Sequence, residues 1–256
     1  HQSALLRLPL EWNIHGEFRL AATRLPAPLH LLGGLLRAKG LDFGERVAAV
    51  RFLAALKRNR FTLDRDVSVE LLLKQHAQSE KLNRVLWRPL CVAALNTPPG
   101  IASARIFLNV LRDSLNGARS DSDLVLARVD LSALLPEPAA AYIESHGGKM
   151  LLGQRVTAID AHEGAFTVAA GTNHGSYSHV ICALPPHQVN AFLIGITALS
   201  DIAAVIGQLQ YQPIYSVWLQ YPGTVNLPSP MLGFAQGLVH WAFDRATLCG
   251  QRGLVG

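Results

Sequence analysis

Charge is scarce in this chain: 16% of its 256 residues are Asp, Glu, Lys or Arg, against 50% hydrophobic. The dryness still yields no candidate membrane span. The driest stretch, LAATRLPAPLHLLGGLLRAKG at 20–40, is broken by Arg24, Pro26, Pro28 and Gly33-Gly34, whereas a spanning helix needs about 20 unbroken apolar residues. Cysteine is scarcer. Cys91, Cys182 and Cys249 are odd in number and far apart, which argues against a disulfide framework or a zinc site and fits a reducing cytoplasm. The ten histidines form no HxxxH or HExxH pair, so no metal is expected. Zinc-finger spacing, an RNP motif and an Arg-rich block are also missing, so nucleic acid is not an expected partner despite the net charge of +5. No Ser-His-Asp order or carboxylate pair stands out, and no residue is assigned a catalytic role. The chain shows no signal-peptide pattern, no internal repeat and no GxGxxG.

The charge that is present thickens at RFLAALKRNRFTLDR, where Arg51, Lys57, Arg58, Arg60 and Arg65 are interleaved with Phe52 and Phe61. Two readings stand: a solvated helix face, or contact with a membrane surface. To about Ser145 the pattern is mostly helical. Phe107, Leu111 and Leu115 recur every four residues in ASARIFLNVLRDSLNG, with Asn116-Gly117 as the stop. KLNRVLWRPLCVAALNTPPG also reads helical, kinked at Pro89. EPAAAYIESHGG is a further helix, with Pro138 near its start and Gly147 past its end.

The period then changes. KMLLGQ, RVTAIDAH, AFTVAAG and SHVICAL read as short β-type runs separated by turns at Gly153, Glu163-Gly164 and Gly171–Gly175. The last run, Val180–Leu184, reads as a buried strand stopped by Pro185-Pro186. LSDIAAVIGQLQ returns to helix, and IYSVWLQYP and LVHWAFDRA read as strands. The expected class is α+β. Its parts are 1–134, a helical substrate- or membrane-facing part; 135–190, a segment with a β-meander; and 191–256, a helix plus antiparallel strands.

A helix ending at HGGKM, the strand RVTAID, a hairpin and then SHVICALPP resembles the centre of the flavoproteins with two dinucleotide-binding parts: amine oxidases, protoporphyrinogen oxidases and carotenoid desaturases. WRPLCVAALNTP, DLSALLPEPAAAYIE and HWAFDR more closely resemble the squalene-associated FAD-dependent desaturases, or hydroxysqualene dehydroxylases, over about Phe61–Arg245. The resemblance implies an amine-oxidase-like FAD-dependent oxidoreductase fold. It also implies that Val156 holds the adenine of FAD and that Ala183, Leu184 and Pro185 end a strand at the cofactor. The missing GxGxxG, whose glycines would bring backbone against the pyrophosphate, leads us to expect an internal fragment of a longer flavoprotein, inactive by itself.

The implied substrate is a C30 isoprenoid, hydroxysqualene going to squalene on the way to hopanoids, and the implied location is cytoplasmic with peripheral membrane contact. Tyr215, Trp218, Trp241 and Phe243 are aromatics suited either to a dry pocket or to ordinary core. Asp244-Arg245 is either functional or an intrachain ion pair, and Asp130 a helix cap. Two alternatives remain open: a lipid- or membrane-binding module without activity, and a phytoene- or amine-oxidising flavoenzyme.

Overall fold

A computed structural model describes residues 4–256 apart from Asn116, Glu163, Ile194 and Gly195. The helix stop expected at Asn116 and the turn expected at Glu163 lie outside the described residues. The strands are β1 (Leu5–Leu8), β2 (Glu11–Ile14), β3 (Phe18–Ala21), β4 (Leu124–Ala127), β5 (Ala158–His162), β6 (Ala165–Ala170), β7 (Asn173–Tyr177), β8 (Leu219–Gln220), β9 (Met231–Gly233), β10 (Trp241–Phe243) and β11 (Leu254–Val255). The α-helices are α1 (Leu29–Leu36), α2 (Phe43–Arg58), α3 (Val69–Gln75), α4 (Glu80–Leu82), α5 (Arg88–Leu95), α6 (Ala104–Leu115), α7 (Leu131–Leu134), α8 (Pro136–Ser145), α9 (Pro186–Leu193), α10 (Ser200–Ile206) and α11 (Arg245–Cys249). The chain divides into two compact units: one runs to Glu137 and resumes at Ile214–Gly256, the other is Pro138–Pro213. Residues 191–213, grouped with the C-terminal strands in the sequence reading, thus cluster with the meander.

The first unit opens with strands where helix was expected. In EWNI and FRLA the apolar residues alternate, so Trp12, Ile14, Phe18 and Leu20 all point inward. These strands belong to a four-stranded sheet ordered β10-β9-β2-β3, in which β2 runs parallel to β9; β1 pairs separately with β4. Helix α1 packs on β3 through Gly34, where a Cβ would come within 2.5 Å of the Ala21 carbonyl oxygen. Gly40 follows, with φ of 90° and a Cβ position that overlaps the Glu17 carbonyl. Only glycine suits both demands. Beside it Arg19 and Lys39 exchange backbone hydrogen bonds of 3.1 and 2.9 Å.

The helices then close one core around Phe52, Leu72, Leu73, Val85, Phe107 and Leu108. A reciprocal Asp42–Glu45 cap starts α2. Phe52 and Phe61 are buried, so the basic stretch presents no aromatic side chain outward there. At Pro89 the expected kink takes a specific form: Asn83–Trp87 is a π turn between α4 and α5. In a regular helix the Val85 carbonyl would accept from residue 89, but proline has no N–H. The indole N–H of Trp12 donates to that carbonyl instead, at 3.1 Å.

The second unit holds the antiparallel meander β5-β6-β7, followed by α9 and α10. Val189 and Ala203 are its only buried hydrophobic residues among those described. Two expected strands are not formed. Residues 149–154 are irregular, with Leu152 exposed, and Val180–Leu184 makes no ladder, Ile181 being 92% exposed. The third meander strand is Asn173–Tyr177 instead. An apolar run becomes a buried strand only if a neighbouring strand offers its backbone groups, and no described strand lies against Val180–Leu184. In the first unit, IYSVWLQYP likewise keeps only Leu219–Gln220, paired with β11.

Candidate functional site

Residues before β5, after β7 and on α9 enclose an open groove of about 920 Å³ within the second unit. That is at the upper end of the size range of small-molecule sites. One wall descends from the meander. Thr157 donates its N–H to the Ala169 carbonyl at 2.8 Å, extending the β5–β6 ladder by one residue. Val156 sits just beyond the ladder, and Gln154 is tied to β7 by the Asn173 amide at 3.2 Å. The opposite wall is Val180–Leu184. The proline pair sets where it ends: Pro186 is the first residue of α9, and the Pro185 carbonyl accepts from Gln188 and Val189 at 2.8 and 3.1 Å. Proline is preorganised for that first helical position.

Val156, Ala183 and Leu184 line this groove, together with Arg155, Ile159, Val168, Cys182 and Phe192. Pro185 is not among the lining residues. Neither Val156 nor Val180–Leu184 makes a backbone–backbone hydrogen bond among the described residues. The walls therefore combine apolar side chains with open backbone donors and acceptors. That is the chemistry a flat heteroaromatic base needs: apolar cover for its faces and amide groups for its edge. It is not the chemistry of a pyrophosphate. Arg155 is the one cation in the lining, and the two prolines that open α9 remove N–H donors from the helix terminus that would otherwise bind an anion.

Sequence reasoning missed Gln154, which carries no signal in the sequence, and Phe192 with the rest of the α9 wall, whose only signal is the apolar face of PHQVNAFL. A smaller cleft of about 260 Å³ lies in the first unit between β1, β2, β4 and the start of β9. It is lined by Leu8, Leu10, Leu124, Leu126 and Met231 with Glu11 and Ser229. Glu11 is already paired with Arg19 at 3.0 Å.

The aromatic and charged candidates separate. Trp241 packs edge-on against Trp12 with ring centroids 4.7 Å apart, joining the core. Tyr215 is exposed, and Trp218 lies under the Arg245 guanidinium at 5.2 Å. Asp244 and Arg245 do not pair with each other. Arg245 approaches Asp130 at 3.8 Å, and Asp130 makes no side-chain cap. Asp244 is buried. It caps α11 through the Thr247 N–H (3.0 Å) and hydroxyl (2.9 Å) and accepts the Leu227 N–H at 3.1 Å. Burial pushes its pKa up, but these donors outweigh it and hold the carboxyl below its ordinary value.

His30 is a second buried polar residue. Its Nε2 is 2.8 Å from the Ser122 hydroxyl, which donates to the Arg119 carbonyl at 2.9 Å. The hydroxyl must therefore accept from Nε2–H, leaving Nδ1 bare; no partner for it is found among the described residues. Among the described residues no carboxylate is hydrogen-bonded to this pair. Among the described residues no group of three His, Cys, Asp or Glu is placed to hold a metal.

Residues 10–248 match the family described as flavin containing amine oxidoreductase. The chain belongs to that family. Flavin containing amine oxidoreductases are FAD-dependent enzymes with the mixed α+β fold expected from the sequence. Among curated proteins the chain is similar to a hydroxysqualene dehydroxylase of Sinorhizobium fredii, 28% identical over 63% of this chain and 37% of that protein. A hydroxysqualene dehydroxylase of Rhodopseudomonas palustris is 27% identical over 60% and 36%. The chain thus spans little more than a third of the curated relatives it matches. Among solved structures it resembles an oxidoreductase from Methanosarcina mazei, with TM-score 0.61 and 13% identity over 84% of this chain and 51% of that one. Putrescine oxidase bound to putrescine gives TM-score 0.55 and 14% identity over 98% and 57%. At these identities the likeness is one of fold.

Proposed function

We propose that this chain is part of an FAD-dependent oxidoreductase that converts hydroxysqualene to squalene. The observation that carries the reading is the similarity to two hydroxysqualene dehydroxylases across about 60% of the chain. Val156, Ala183 and Leu184 hold the adenine end of FAD in the groove, and Pro185 fixes the end of the wall just before α9, its carbonyl accepting from Gln188 and Val189. The pyrophosphate is held by residues other than these, since the groove has one cation and no glycine-rich turn.

When bound, reduced flavin would supply the hydride that replaces the C–O bond, with a proton from solvent carrying the hydroxyl away as water. This chain's part is to bind and to exclude water. The apolar cleft lined by Leu8, Leu10, Leu124, Leu126 and Met231 gives a prenyl chain a dry surface. A substrate this apolar resides in a bilayer, and the enzyme works as a peripheral membrane protein.

The test uses the full-length protein under anaerobic conditions with reduced FAD and hydroxysqualene, read by gas chromatography of the lipid extract. Squalene formed in step with flavin oxidation supports the reading; hydroxysqualene left intact while the flavin stays reduced overturns it. The groove is tested separately on this chain. Cys182 lines it and is exposed, so saturating ADP should slow its alkylation if an adenine occupies the groove. An unchanged rate removes the adenine assignment.

A further inference from the structure

We propose that the outward face of α1 is a docking surface for an anionic lipid bilayer. This refines the peripheral location proposed above and rests on that reading only for the expectation of a bilayer. The helix LHLLGGLL buries His30, Leu31, Gly34 and Leu35. Its other side carries Leu29, Gly33 and Leu36 at one-turn spacing, and Leu25 folds across it, its Cδ1 lying 3.5 Å from where a Cβ on Gly33 would stand. Leu25, Leu29 and Leu36 are 47%, 50% and 47% exposed. Arg46 donates to the Leu36 carbonyl at 3.1 Å and to the Leu41 carbonyl at 2.8 Å. That contact brings the start of α2, with Phe43 at 75% exposed, to the C-terminal end of α1.

Charge says what covers this face. Arg24, Arg37 and Lys39 flank it in sequence, all exposed and none in an ion pair among the described residues. The carboxylates that follow α1 in sequence are engaged elsewhere. Asp42 and Glu45 cap each other, and Glu45 also accepts from Ser79 and meets Lys81 at 3.9 Å. Exposed leucines and a phenylalanine with unpaired cations beside them in sequence match an interface of acyl chains under anionic headgroups. A second copy of the chain fits worse, because a two-fold contact through this face sets the three cations near their own duplicates. The basic stretch from Arg51 to Arg65 lacks the apolar half of the pattern, since Phe52 and Phe61 are buried.

The test is co-sedimentation of this chain with phosphatidylcholine vesicles, with and without phosphatidylglycerol. It reads binding alone, so its outcome is independent of whether the substrate is hydroxysqualene. The unmodified chain should bind the anionic vesicles and release them in high salt. R24Q/R37Q/K39Q should weaken that binding on the order of 100-fold, three basic residues acting together. L29E/L36E should remove it. R51Q/K57Q/R58Q/R60Q should weaken it far less. Folding is checked by circular dichroism, and the charge variant leaves every buried residue in place if the leucine variant proves unstable. Equal loss in the two charge variants would reduce the effect to net charge and overturn the assignment. So would a dimer of the unmodified chain that L29E/L36E converts to monomer while vesicle binding stays unchanged.

Discussion

Replacing Asp244 by alanine should destabilise the first unit more than any surface change. The buried carboxylate accepts from the Thr247 N–H, the Thr247 hydroxyl and the Leu227 N–H at 2.9–3.1 Å. Alanine leaves those three donors unpaired and removes the cap of α11. Each unsatisfied buried donor costs about 1–3 kcal/mol, and a lost cap about 1 kcal/mol. Relaxation and water entry will recover part of this, so the expected loss is roughly 3 kcal/mol. In a unit of this size that lowers Tm by about 6–12 °C. Asparagine keeps the shape but turns an N–H₂ toward donors, and should lose about half as much.

The pH dependence gives an independent check. The folded pKa of Asp244 lies below its ordinary value of 3.8. Its stabilisation is therefore full above that value and fades as pH falls through the folded pKa. The gap between the unmodified chain and D244N should be constant near neutrality and narrow in acid. Thermal unfolding followed by circular dichroism from pH 7 downward measures both. An alanine variant melting with the unmodified chain, or a gap that widens in acid, would refute the reasoning.

Other outcomes follow from the same geometry. Gly34→Ala pushes a methyl to 2.5 Å from the Ala21 carbonyl oxygen and should lose about 1–3 kcal/mol by overpacking; urea denaturation reads it. Trp12→Phe strands the Val85 carbonyl that Pro89 leaves open and should destabilise by about 1–3 kcal/mol, as the shift in urea midpoint shows. Cys91 is buried, and burial raises its thiol to about 11. At pH 8 a thiol reagent should modify exposed Cys182 readily and Cys91 only on unfolding. Burial lowers the pKa of both His30 and His76, so stability should decline as pH drops below 6.5, and His30→Gln should flatten that decline.

WRPLCVAALNTP and DLSALLPEPAAAYIE carried the family, and the switch from helical to β period near residue 150 located the meander, because both signals are local. The same is true of α6, α8 and α10, whose periodicity or capping residues are written into adjacent positions. Val156, Ala183 and Leu184 could be placed on one groove only by folding, since 27 residues separate Val156 from Ala183. The run Val180–Leu184 shows the limit most plainly. Its composition predicts a buried strand, yet strand formation requires a partner, and a sequence window does not contain the partner.

The N-terminal strands failed for a different reason. The alternation in EWNI and FRLA is only four residues long, and a leucine-rich surrounding hides so short a period. What the sequence by itself determined was the family, the class of elements and the dryness of the chain, all properties of neighbours along the backbone. The tertiary structure alone decided which side of each element meets water. It buried Phe52, Phe61 and Asp244, exposed Leu29, Phe43 and Ile181, and gave the Val85 carbonyl to Trp12, because burial and hydrogen-bond partners are settled between residues far apart in the chain.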